Sequence, residues 1–223
     1  MGVAENLREL RKQIPDNVTL VAVSKTKPDE MVLEAYATGH RDFGENKVQD
    51  LIARKERLPD DIRWHMIGHL QSNKVKYLAP FIHLIHGVDS LKLLRVLQKE
   101  AEKVNRVLDC LLQVHIAREE TKFGFSDEEL QEIVHSGVLG EMSMVRIRGV
   151  MGMATYTENS KQIRQEFRHL NSIFEKLRAS VFSEVSSFDQ RSYGMSGDYQ
   201  LAVEEGSTMV RIGSLIFGPR NYL

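Results

Sequence analysis

The sequence predicts an α/β protein, a single-domain (β/α)8 TIM barrel over residues 1–223 with an extra N-terminal helix, and three observations carry that expectation. Strand-type and helix-type patterns alternate about eight times at roughly 25-residue spacing, with no repeat or Gly/Ser linker between them. No dinucleotide-binding glycine fingerprint accompanies them, which disfavours a doubly wound sheet. Every expected strand ends in something polar or glycine-rich, as the working face of a parallel barrel should.

Taken in order, residues 3–13 set Leu7 and Leu10 among charges, an amphipathic helix that would cover the side left open after strand eight. Strand one is the apolar run Val18 to Val23, which stops at Ser24-Lys25. A helix over 29–38 places Met31, Val32 and Ala35 on one face and closes at Gly39. Strand two, Arg41 to Phe43, runs into Gly44-Glu45-Asn46, and a helix follows to Pro59. Strand three, Ile62 to Ile67, ends at Gly68-His69, before a short helix stopped by Pro80. Strand four, Phe81 to His86, leads through Asp89-Ser90 to a helix with Leu94, Leu97, Ala101 and Val104 at spacings of three and four. Strand five is Val107 to Val114; after the polar loop to Gly124, Ser126 and Glu129 form a capping box. Strand six, Val145 to Val150, precedes a helix from Ser160 to Ala179 striped by Ile163, Phe167, Leu170, Phe174 and Leu177. Strand seven is expected between Glu184 and Met195, blurred by its many polar residues. Helix Asp198–Glu205 and strand Thr208–Ile212 complete the alternation.

Composition narrows the function classes. A formal net charge of −1 provides no general field for nucleic acid or an anionic membrane, so any anion site must be built locally. The single Cys110 sits in an apolar run and reads as a buried small hydrophobe. No apolar run reaches a membrane span and no signal segment opens the chain, so a cytoplasmic protein, working as a monomer, is expected.

Lys25 stands at the carboxyl mouth of strand one, where ligands of parallel α/β folds collect. A lysine there serves as a solvated loop residue, as a point charge for an anion, or as an amine that condenses with an aldehyde. Met195-Ser196-Gly197-Asp198 and Arg211-Ile212-Gly213-Ser214 occupy the loops after strands seven and eight, where barrels of this class bind phosphate. Each supplies a hydroxyl and a small residue; alone, each would read as a cap or turn, but together with Lys25 they point to a phosphorylated aldehyde. His65 and His69 lack the glutamate of a metalloprotease helix, and His83 and His86 have no Cys or carboxylate neighbour in sequence, so no metal is expected. Lys122 is a second basic residue on the same face, with a solvated loop lysine as its plainer reading.

Six blocks resemble the YggS/PROSC family of pyridoxal 5′-phosphate (PLP)-binding proteins: Val21 to Pro28, Phe43 to Asn46, Trp64 to Lys74, Gly149 to Ala154, Gly194 to Asp198 and Val210 to Ser214. The family is similar to the N-terminal barrel of alanine racemases and is associated with vitamin B6 homeostasis without an established reaction. The resemblance implies PLP as cofactor, Lys25 as its Schiff-base lysine, Arg211 at the pyridine nitrogen, and Ser196, Gly213 and Ser214 at the phosphate. Asn46 is kept among the cofactor-binding candidates, its other use being to organise its loop. Two departures stand out: Tyr193, where many members have a small residue, and the poorly matching stretch 183–191.

Two functions share these residues. One is a carrier that holds PLP and delivers it to apo PLP-dependent enzymes; the other is an amino-acid racemase. Racemisation needs two acid/base groups, and in alanine racemases the second is a tyrosine from a further domain of the partner subunit, for which a chain ending at Leu223 has no room. Arginine at the ring nitrogen only donates, which makes the ring a weaker electron sink. A carrier is therefore expected, with a barrel binding some other phosphorylated metabolite as a third reading.

Overall fold

The structure, a computed structural model, describes residues 2–119 and 123–219. Eight parallel strands close in sequence order: β1 (Thr19–Val23), β2 (Asp42–Glu45), β3 (Arg63–Met66), β4 (Leu84–Val88), β5 (Leu108–Gln113), β6 (Val145–Met151), β7 (Gln190–Met195) and β8 (Met209–Ile212). The seam pairs β1 with β8, Val21 opposite Arg211. Around them run α1 (Val3–Gln13), α2 (Asp29–Ala37), α3 (Val48–Arg57), α4 (Val75–Leu78), α5 (Leu91–Lys103), α6 (Asp127–His135), α7 (Ser160–Ala179), α8 (Tyr199–Glu204) and α9 (Ser214–Phe217). The expected barrel is the observed one.

Alternating strand side chains divide between two cores. Outward residues merge with the helices into one large cluster, to which α7 contributes all five residues of its stripe. Val21, Leu84, Leu111, Met151 and Met209 form a separate cluster drawn from β1, β4, β5, β6 and β8, so they fill the barrel interior. The helix α1 covers the seam as expected: Leu7 and Leu10 are buried, Glu34 of α2 accepts the Ala4 N–H at 2.9 Å, and Asn6 donates to the Ile216 carbonyl of α9 at 3.0 Å. The Ser126/Glu129 capping box forms in both directions, at 3.2 and 2.9 Å.

Two strands start later than their sequences suggest. Phe81 and Ile82 look like strand but donate to the Leu78 carbonyl, prolonging the turn after α4, so β4 begins at Leu84. Residues before Gln190 are absorbed by an aromatic stack in which Phe188 lies 4.1 Å from Phe182 and 4.9 Å from Phe174. Tyr193 stacks on Phe167 of α7 at 4.9 Å and donates to the Glu205 carbonyl at 2.8 Å, so this departure from the family pattern faces a helix. At Gly68 a Cβ would lie 2.5 Å from the Asn46 carbonyl oxygen, which fixes close approach of the β2 and β3 ends.

Histidines lowered by burial, His40 and His86 among them, shape the acid behaviour. Burial pushes His40 down to about 4, while its Nε2 donates to the Asp42 carbonyl at 2.8 Å; burial also holds His86 well below its ordinary value. The unfolded chain protonates both near 6.5, so it binds more protons than the folded chain between about 6.5 and 4. Stability therefore falls as pH drops through that window, by up to about 1.4 kcal/mol per pH unit for each such group. Thermal unfolding should show Tm declining from pH 7 to 5, and His40→Gln should make the decline shallower. A Tm constant to pH 4.5 would contradict this account.

Candidate functional site

The carboxyl ends of the strands share one face, and it gathers Lys25, Asn46, Ser196 and Gly213 on the loops after β1, β2, β7 and β8, with Ser214 opening α9 and Arg211 one residue from the end of β8. Lys122 lies outside the described residues.

Lys25, half-buried, is presented by a tight turn in which the Lys27 N–H donates to the Ser24 carbonyl at 3.0 Å. Thr26 takes φ 64°, unusual for a β-branched residue and a cost of roughly 1–3 kcal/mol. The surroundings enforce it. The Ser24 hydroxyl donates to Glu45 Oε1 at 2.6 Å, and Arg54 from α3 donates to the carbonyls of Ser24, at 3.2 Å, and Lys27. The Lys27 ammonium is drawn away, donating to the carbonyls of Gly218 at 3.0 Å and Pro219 at 2.7 Å.

Glu45 is fully buried in the corner where β2 leaves β1. Its Oε1 also lies 3.3 Å from Arg54 Nε, while its buried Oε2 has no hydrogen-bond partner among the described residues. Burial raises its pKa, against the opposing pull of Arg54, the Ser24 hydroxyl and the Lys25 charge. Sequence reasoning quoted Glu45 only as part of a motif; a carboxylate at a buried strand position next to the Lys25 strand was the signal available.

The β7 and β8 loops meet through one bond: the Gly213 N–H donates to Ser196 Oγ at 3.2 Å. As acceptor there, the Ser196 hydroxyl keeps its own proton for a further acceptor. A Cβ at Gly213 would sit 3.1 Å from the Val23 carbonyl oxygen, so this loop presses on the end of β1 and is best served by glycine. Ser196 is half-buried and Ser214 exposed. Asn46 is half-buried, its backbone forming the surface that Gly68 closes on.

Arg211 is buried, at 4% exposure. Its Nη1 donates to the Ser192 carbonyl at 2.7 Å and the Ser192 hydroxyl at 2.6 Å, and its Nη2 to the Gly152 carbonyl at 3.1 Å. Burial lowers its pKa to about 10, so it stays charged at neutral pH. Among the described residues, three of its five N–H donors are thus engaged. A buried cation with donors unengaged among the described residues and a hydroxyl tied to a glycine amide fit a ligand with an anionic group and a ring acceptor, which is the chemistry PLP brings.

His65 and His86, weighed in the sequence only as metal ligands, line the barrel interior. His65 Nδ1 and His86 Nε2 are 3.0 Å apart, His65 Nε2 is 3.2 Å from Asp42 Oδ1, and His86 Nδ1 is 3.0 Å from Ser192 Oγ. Asp42, His65 and His83 bring ligand-type atoms within 4.8 Å of one another, so these histidines do have a carboxylate neighbour that the sequence did not reveal. Arg63 donates to both Asp42 oxygens, at 2.7 and 2.6 Å, and so pairs this carboxylate with a cation of the protein itself.

The chain is similar to known proteins over nearly its whole length. The family model described as "Alanine racemase, N-terminal domain" matches residues 2–221. The pyridoxal phosphate homeostasis protein of Aquifex aeolicus is 41% identical over 91% of this chain and 87% of its own length. PipY of Synechococcus elongatus, solved with PLP bound, is 35% identical with a TM-score of 0.88, covering 97% of this chain and 100% of that one. An alanine racemase from Streptomyces coelicolor, 16% identical with a TM-score of 0.77, shares the fold over 98% of this chain and 58% of its own.

Proposed function

The chain belongs to the family of pyridoxal phosphate homeostasis proteins, and from that membership we propose that it binds PLP on the carboxyl face of its barrel and passes it to apo PLP-dependent enzymes. Lys25 holds the cofactor as a Schiff base. Ser196, Gly213 and Ser214 receive the phosphate, Arg211 donates to the ring nitrogen, and Asn46 borders the pocket. Bound PLP supplies an aldehyde carbon for an amine and a conjugated ring that can accept electron density.

The observation that carries this reading is the buried, charged Arg211 guanidinium with donors left over, on the same face as Lys25 and the Ser196–Gly213 link. That arginine also favours a carrier over a racemase. A guanidinium that stays protonated donates to the ring nitrogen without surrendering a proton, which weakens the ring as an electron sink. Half-exposed Lys25 and exposed Ser214 suit a ligand that must leave as well as bind. Among the described residues no helix is long and apolar enough to cross a membrane. We place the protein in the cytoplasm, acting as a monomer.

Mixing PLP-loaded protein with an apo aminotransferase should restore the transferase faster than the same concentration of free PLP does. Incubation with single L-amino acids should leave their chirality unchanged. Racemisation at rates typical of enzymes, about 1 to 1,000 per second, abolished by Lys25→Ala, would overturn the carrier reading.

A further inference from the structure

Buried polar side chains from five strands join into one continuous path through the barrel. Arg211 on β8 reaches Ser192 on β7 at 2.6 Å; Ser192 meets His86 on β4 at 3.0 Å; His86 meets His65 on β3 at 3.0 Å; His65 meets Asp42 on β2 at 3.2 Å. Strands β4 and β7 are not neighbours, so the Ser192–His86 bond crosses the interior. Exposure is 6% or less at every member: Arg211 4%, Ser192 0%, His86 0%, His65 1%, Asp42 6%.

With both rings neutral, the two ends fix the direction of every proton between them. Arginine only donates and an ionised carboxylate only accepts. Arg211 therefore donates to Ser192 Oγ. That hydroxyl takes the guanidinium proton with one lone pair and gives its own proton to His86 Nδ1. With Nδ1 accepting, a neutral His86 carries its proton on Nε2 and donates to His65 Nδ1. His65 in turn carries its proton on Nε2 and donates to Asp42. With neutral rings, reversal at any bond would leave two donors or two acceptors facing each other somewhere along the path inside a dry core, at the cost of an unmade buried bond. Arg63, paired with both Asp42 oxygens, keeps the far end anionic.

We infer that this one-way chain is a positioning device for the cofactor contact: Ser192, His86 and His65 are positioning residues that lock the Arg211 guanidinium in place, anchored by Asp42 near the opposite end of the barrel. The inference rests on the PLP reading for what Arg211 touches, but the chain itself belongs to the protein alone. Without a hydroxyl at 192, Arg211 keeps the Ser192 and Gly152 carbonyls as its acceptors among the described residues and loses its tie to the side-chain path.

The test has two arms. In the unloaded protein, nitrogen-15 NMR of the histidine rings should show His65 and His86 both neutral with the proton on Nε2. A proton on Nδ1 of either ring, or a charged ring at neutral pH, overturns the chain. In the loaded protein, Ser192→Ala should shift both the absorption maximum and the nitrogen-15 resonance of ring-labelled PLP, and weaken PLP about tenfold, the equivalent of one charge-assisted hydrogen bond. Ser192→Thr, which restores the hydroxyl, should return both signals. His86→Leu should reproduce the Ser192→Ala shift; should that variant fail to fold, the serine pair decides alone. Normal loading with a ring resonance unmoved by Ser192→Ala overturns the positioning role and leaves the PLP reading standing. Failure of the wild-type protein to load PLP overturns both.

Discussion

Lys25→Ala should abolish the visible absorption band of the PLP-loaded protein and weaken PLP by about 100-fold, roughly 2.8 kcal/mol at 1.4 kcal/mol per decade. The amine is the only group on this face that the proposal joins to the aldehyde by a covalent bond, whereas the phosphate and ring contacts persist in the variant. A residual, colourless PLP complex is therefore expected rather than no binding. Circular dichroism should be unchanged. Lys25 is half-exposed at a strand end, and the turn that presents it is held by Ser24, Glu45 and Arg54, which remain. A visible band that survives Lys25→Ala would place the linkage on another lysine.

The second large effect is expected at the phosphate. On the proposed reading, replacing both Ser196 and Ser214 with alanine removes two hydroxyl donors to a dianion, each contributing on the order of 1.5 to 3 kcal/mol. The two losses will not simply add. Ser196 Oγ also accepts the Gly213 N–H at 3.2 Å, so Ser196→Ala alone loosens the link between the β7 and β8 loops. PLP affinity should fall by about 100-fold or more in the double variant, while affinity for unphosphorylated pyridoxal stays nearly constant. Titration of both ligands against the same protein checks this. Equal weakening of the two would put the phosphate elsewhere.

Where the sequence was legible, local chemistry and tertiary packing asked for the same residues. The α7 stripe, the Ser126 capping box and the apolar run of β5 are examples, and helix α7 spans the residues expected, Ser160–Ala179. Strand β7 was obscured because its polar residues are engaged inside the protein. Ser192 is fully buried to bond His86 and Arg211, and Tyr193 is buried against α7. Strand β4 was displaced because the apolar character of Phe81 and Ile82 does not say whether they end a turn or begin a strand.

The same distinction governs the site. Lys25, Ser196 and Gly213 lie on strand-end loops and Ser214 opens α9, where sequence position alone indicates the face, and they do share it. His65, His86 and Asp42 could not be joined from sequence, because a bond across a barrel depends on strand register and interior width rather than spacing along the chain. Weighed only as metal ligands, the histidines looked idle; their partners are one another, a serine and an aspartate paired to arginine.

The central claim is that Lys25, and no other lysine, carries the cofactor. Lys27 is the nearest rival in sequence, but its ammonium is committed to two carbonyls at the start of the C-terminal segment. Borohydride reduction of the PLP-loaded protein followed by peptide mapping decides between them. The account predicts a single reduced pyridoxyl adduct on Lys25; an adduct confined to Lys27 or Lys122, or no adduct on a protein that binds PLP tightly, would contradict it.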